Sequence, residues 1–206
     1  MLNKLPDQIP VFPLNGVIYF PKTNLPLNIF EERYLDLVND AMKRDKLMGM
    51  VQSKKKDDEV YNIGCLGKIS DFKKSPDGRL LINLTGISRF EIVNELDNSK
   101  PYREFKVSYE KFNVDLENSK DDADMGALTQ RSKKFFNKNG LLLNWKEFDK
   151  LEKLQKINTL AMIAPITNEE KQKILESISQ HEKVKTLEDI IKFYSHESNF
   201  RNQTIQ

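Results

Sequence analysis

The chain has 206 residues, 38% of them apolar and 31% charged, with a formal net charge of +2. That is enough apolar material for a packed core and excludes the disordered class. Basic and acidic residues balance on either side of residue 120, which argues against a dedicated nucleic-acid binder, where basic charge gathers on one domain. No apolar run approaches the roughly 20 residues that span a bilayer. The opening MLNKLPDQIP has no export signal, and Cys65 is the single cysteine, so no internal disulfide can form. A cytoplasmic location without a membrane partner is expected.

The first 114 residues or so read as mainly β. Pro10, Pro13, Pro21 and Pro26 each lack a backbone donor, so their segments belong at sheet edges, strand starts or bends. EERYLDLVNDAMKR (31–44) spaces Tyr34, Val38, Ala41 and Met42 as one face of a helix. LMGMVQ (47–52) returns to strand, and SKKKDDE (53–59) is a charged loop. KSPDGR (74–79) is a hairpin turn, with Pro76 presetting φ and Gly78 free to take the left-handed position. Leu80, Ile82 and Leu84 then alternate with Leu81, Asn83 and Thr85. REFKVSYE (103–110) alternates as a half-buried antiparallel strand does.

Around DLENSKDDAD (115–124) the apolar period changes from 2 to 3.6, which makes 115–124 the expected linker. The second part, 125–196, reads as a helical bundle. It contains MGALTQRSKKFFNK, then WKEFDKLEKLQKINTLAMI with one stripe of Phe148, Leu151, Leu154 and Leu160. Next comes a helix opened by a Thr167/Glu170 capping box, and then KTLEDIIKFY with Thr186 as the expected N-cap. Residues 197–206 are expected to fray. The fold class is α+β: an antiparallel β domain with one inserted helix, followed by the bundle.

Catalytic chemistry is not legible. GCLGKIS (64–70) has Gly-Lys, but only two residues separate its glycines and Ile69 stands where a phosphate-binding loop needs a hydroxyl. A strand with glycines for close approach or a bulge is the expected reading. His181 and His196 lack partners at metal-ligand spacing, and Cys65 has no basic neighbour in sequence. No cofactor, metal site or catalytic residue is expected. The lysines around the hairpin suggest a basic edge, outweighed by the acidic residues among them.

The order IPVFPLNGVIYFPKTNLPLNIFEERYLDLVNDAM, MGMV, IGCLGKI, SPDGR with LLINLTGISRFEI, and EEKQKILES…LEDII resembles the LON domain, the N-terminal substrate-binding domain of ATP-dependent Lon proteases. The first block is the most specific: Phe12-Pro13-Leu14, Phe20-Pro21, and Leu27 to Tyr34 around Ile29-Phe30-Glu31. The resemblance implies a PUA-like pseudo-barrel followed by a helical bundle. It does not carry over the family's ATPase or peptidase activity, whose motifs this sequence lacks, so a non-catalytic stand-alone LON-domain protein is expected. Its expected partners are unfolded or partner polypeptides, a protease among them, as for an adaptor or regulator of Lon-type proteolysis. The expected contact surface is a groove at Phe12, Leu14, Tyr19, Phe20, Ile29, Phe30 and Glu31, where proline-rich extended chain leaves a sheet edge open. The competing readings are an RNA-binding PUA-like module and a hydrolase of unusual site.

Overall fold

The computed structural model describes residues 5–54, 59–116 and 123–203, with side chains described through 195. The chain divides into two compact units, Met1–Asn118 and Ser119–Gln206. Residues 117–122 of the expected linker lie outside the described residues, as do 55–58 of the charged loop.

The first unit is built on six strands: β1 (Gln8–Leu14), β2 (Asn24–Ile29), β3 (Leu47–Gln52), β4 (Ile63–Lys74), β5 (Leu80–Leu96) and β6 (Arg103–Ser108). Helix α1 (Glu32–Met42) is inserted between β2 and β3, and a 3-10 turn (Glu110–Asp115) follows β6. The strand order is β2-β5-β4-β3-β1-β6, with β5 also pairing β6. Strand β5 therefore closes the sheet on itself, and β2 is left as the edge strand. A strand of 17 residues is long enough for this. Its first part runs between β2 and β4, and its last part, from Glu91, pairs β6.

The sheet is mixed rather than wholly antiparallel, because β1 and β3 run parallel, with Val11 opposite Gly49. The intervening helix supplies the crossover that a parallel pair needs. Period-2 alternation cannot distinguish the two senses of pairing.

Side-chain alternation then sets the core. Ile9, Val11, Leu66, Phe90, Phe105 and Val107 form one buried cluster. On α1 the buried face is Tyr34, Leu37, Val38 and Ala41. The glycines of GCLGK do allow close approach: a Cβ on Gly64 would lie 2.4 Å from the Met50 carbonyl oxygen. A register shift falls between Leu66 and Gly67.

One buried ion pair joins β5 to the 3-10 turn. The Arg89 Nε donates to Asp115 Oδ2 at 2.8 Å, its second guanidinium nitrogen donates to Oδ1 at 2.9 Å, and its backbone N–H donates to Oδ2 at 2.9 Å. Both side chains are fully buried, and the guanidinium lies 4.3 Å from the centroid of the Phe112 ring. Forked geometry and a backbone bond to the same carboxylate offset the desolvation that such a pair incurs.

The second unit is helical: α2 (Gly126–Lys138), α3 (Trp145–Asp149), α4 (Lys153–Ile163), α5 (Asn168–Glu176) and α6 (Gln180–Gln203). The Thr167/Glu170 capping box has both of its hydrogen bonds. Two expectations change. The stretch from Trp145 is two helices, because Glu152 is extended (ψ 155°) and restarts the chain as the N-cap of α4. Thr186 is interior to α6. Ser179 Oγ accepts the Glu182 N–H at 3.0 Å, while Glu182 accepts the Ile178 N–H at 2.8 Å. The Ser-Gln-His-Glu sequence thus starts the helix seven residues early and places exposed His181 in its first turn. The helix continues through Gln203, across residues the sequence reading assigns to a tail.

Asp115→Ala strands the Arg89 charge in the interior. It is expected to cost about 3–5 kcal/mol in urea unfolding, whereas removal of the exposed Arg79–Asp77 pair should leave the urea midpoint nearly unchanged.

Candidate functional site

The β1–β6 ladder stops early, and the reason lies in the sequence. Gln8 to Val11 pair with Lys106 to Arg103 in antiparallel register. Main-chain groups of successive strand residues point to opposite sides. Ser53 N–H donates to the Leu14 carbonyl at 3.2 Å, so the even residues of β1 face β3 and the odd ones face β6. The Val107 N–H bond to the Asp7 carbonyl, 2.8 Å, agrees. In this register the rung after Val11–Arg103 would join residue 13 to residue 101. Both are proline, and neither has an N–H to give. Pro10 does no such damage, because its missing donor points away from β6.

A cleft of about 330 Å³ opens where the ladder ends. Its walls are the end of β1 (Phe12 to Asn15), the start of α1 (Glu31, Arg33, Tyr34), Ser53, and Pro101 to Arg103. Its volume is at the lower end of the range for ligand clefts, about 300–1,000 Å³. Phe12 is only 6% exposed and meets Tyr34 edge to face, with ring centroids 4.2 Å apart. The Arg33 guanidinium lies 4.6 Å from the Tyr34 centroid, and burial pushes the Tyr34 phenol above its usual range. The floor is therefore aromatic and uncharged.

The rim is ionic. Arg33 holds Glu31 at 2.9 Å, and Arg103 grips both oxygens of Glu95 at 2.7 and 2.6 Å. The hydrogen bonds from Arg103 hold the Glu95 carboxyl below the ordinary range. Tyr102 donates to Asp40 Oδ2 at 2.8 Å, which fixes the loop before β6 to α1. A second hollow of about 40 Å³, bordered by Ile9, Ala41 and Tyr102 among others, is too small for a ligand side chain.

The residues singled out in the sequence separate into three groups. Phe12, Leu14 and Glu31 come together in the cleft. Tyr19, Phe20 and Ile29 are core residues, 3%, 0% and 3% exposed, and present nothing to a partner. Phe30 is 65% exposed but stands outside the cleft, at the end of the edge strand. The sequence reading misses Arg33, Tyr34 and Arg103 as cleft residues. The signal for their meeting is the register that sets Pro13 against Pro101, which needs the β1–β6 pairing to be known. In the helical unit, buried Lys183 donates to Asn158 Oδ1 at 3.1 Å, and Lys171 donates to the Met162 carbonyl at 2.7 Å, its pKa lowered by burial. Both serve packing and helix ends. Among the described residues no group of three His, Cys, Asp or Glu side chains could hold a metal ion, and no helix is long and apolar enough to cross a membrane.

Comparison with known proteins fixes the lineage. The family described as the ATP-dependent protease La (LON) substrate-binding domain matches residues 8–192. The chain belongs to this family. It is 28% identical over 204 residues to a Lon protease of Syntrophus aciditrophicus, covering 91% of this chain and 25% of that protein. It is 31% identical over 106 residues to a Lon protease of Flavobacterium johnsoniae, covering 48% of this chain and 13% of that protein. The chain thus spans about a quarter or less of the length of these curated relatives. A crystal structure of a Lon N-terminal domain protein from Xanthomonas campestris superposes with a TM-score of 0.64 at 22% identity, covering 87% of this chain and 96% of that one. The N-terminal domain of a Mycobacterium avium complex Lon protease gives 0.65 at 16% identity, covering 90% and 98%. These likenesses confirm the LON-type α+β fold, and the match to the family lies wholly within its substrate-binding domain.

Phe20→Ser removes a fully buried ring and is expected to cost about 3–5 kcal/mol. Phe30→Ser should cost less than about 1 kcal/mol. Parallel urea titrations check both, and equal losses would contradict the division between core and surface.

Proposed function

We propose that this LON domain is a non-catalytic module that binds unfolded or partner polypeptides, with the cleft at the end of β1 as the contact surface. The observation that carries the reading is the coincidence of Phe12, Leu14 and Glu31, picked from the sequence, in one aromatic-floored cleft of a chain whose family is described by substrate binding. The chemistry supports it: apolar floor, ionic rim and an interrupted strand ladder suit an extended chain with mixed side chains. In this reading the domain supplies polypeptides to, or withholds them from, a Lon-type protease as an adaptor or regulator. The RNA-binding alternative gains nothing from the hairpin, where Arg79 is already held by Asp77 at 2.7 Å.

Reduced, carboxymethylated α-lactalbumin is the unfolded probe. The full chain should capture it, and Leu14→Asp should weaken capture by about ten-fold or more. Phe30→Ser should leave capture within about two-fold of the parent. A Leu14→Asp protein that melts normally and captures normally would place the site elsewhere.

A further inference from the structure

We propose that the cleft takes its polypeptide as an extended segment laid alongside the end of β1, with a carboxylate of that segment seated between Arg33 and Arg103. This rests on the polypeptide-binding reading above and specifies the ligand's chemistry. The Pro13 carbonyl points to the cleft side of β1, where β6 no longer runs beside it. The opposing position, Pro101, has no N–H to offer it. An incoming main-chain N–H is the donor that restores the missing rung, as in strand addition.

Below that rung, Leu14 and the Phe12–Tyr34 pair present apolar surface. Successive side chains of an extended segment alternate in direction, so a residue two away from one that faces this floor faces the same way and can reach the rim. The rim supplies two guanidiniums against one cleft-lining carboxylate, Glu31. The Arg33–Glu31 pair is solvent-exposed, and pairs of that kind hold by only about 1 kcal/mol or less, whereas half-buried Arg103 is forked onto Glu95 and keeps it. A ligand carboxylate can therefore replace Glu31 on Arg33 and share Arg103 with Glu95. The preferred segment has a large apolar residue followed two positions later by an acidic residue or by the chain's own C-terminal carboxylate.

The test uses the full chain and a fluorescein-labelled octapeptide, Gly-Ser-Val-Leu-Val-Glu-Gly-Ser with an amidated end, in fluorescence anisotropy. A series carrying one backbone N-methyl group at each position from Val to Glu is compared with the parent peptide. Methylation at one position should weaken binding by about ten-fold or more, with its neighbours changing it less than about three-fold. Replacing the peptide's Glu by Lys should weaken binding to a similar extent, and the Arg33→Glu protein should prefer the Lys peptide. A third peptide, Gly-Ser-Val-Leu-Val with a free C-terminus, separates the two carboxylate sources. Binding by it that is lost on amidation assigns the chain terminus, and binding only by the Glu octapeptide assigns the side chain. Equal binding of all N-methyl peptides, or indifference to Glu→Lys, overturns the proposal. So does capture of α-lactalbumin with no peptide bound at about 1 mM. Failure to capture α-lactalbumin at all would instead remove the polypeptide-binding reading itself.

Discussion

Backbone hydrogen bonding decides most of this structure. Every buried N–H and C=O must find a partner, and the β unit meets that demand by closing its sheet through β5, which pairs β2, β4 and β6 in turn. Closure removes edges that would otherwise recruit other chains. Two interruptions remain. Edge strand β2 carries Pro26, and the β1–β6 ladder ends at Val11–Arg103, where the next rung would fall on Pro13 and Pro101. The cleft is the spatial consequence of that second interruption, and its aromatic floor exists because α1 packs Tyr34 against Phe12. The same residue type protects one edge and opens another.

Packing around β5 makes the closure stable enough to leave a gap. Gly86 lets the Phe20–Pro21 backbone pass close by, since a Cβ there would sit 2.3 Å from the Phe20 carbonyl oxygen. The Arg89–Asp115 pair ties the chain leaving β6 back to β5. With both pinned, the loop before β6 is positioned through Tyr102 and Asp40, and the rim guanidinium of Arg103 follows from it. The cleft walls are thus anchored to β1, α1 and β6, and placement on such elements gives a site its precision.

Element types were legible wherever the period was long and clean. The helix at α1, the hairpin at Gly78 (φ +91°), the alternation of β5 and the capping box at Thr167 all emerge from local rules. The family resemblance added the closed architecture, which local rules could not supply. The parallel sense of β1 and β3 was invisible because alternation is the same in both senses. The α6 start was missed although Ser179 and Glu182 have capping-box spacing, since Thr186 offered a competing cap. Arg89 and Asp115 are far apart in sequence, and nothing local marks either as buried. The candidate site was half legible. Aromatic content drew attention to residues 12–31, but burial depends on which face each ring takes, so Tyr19, Phe20 and Ile29 went to the core while Arg33, Tyr34 and Arg103 went unremarked.

Substrate binding is the property by which the family is described, and the proposal above assigns it to the cleft. The most direct measurement is amide chemical-shift mapping of the isotopically labelled full chain during titration with reduced, carboxymethylated α-lactalbumin. Perturbations should concentrate at residues 12–15, 31–34 and 101–103, with the outer face of β2 and β5 and the helices α2 to α5 unchanged. Perturbations confined to the helical unit, or to Phe30 and Leu81 beside the edge strand, would contradict the assignment of the cleft.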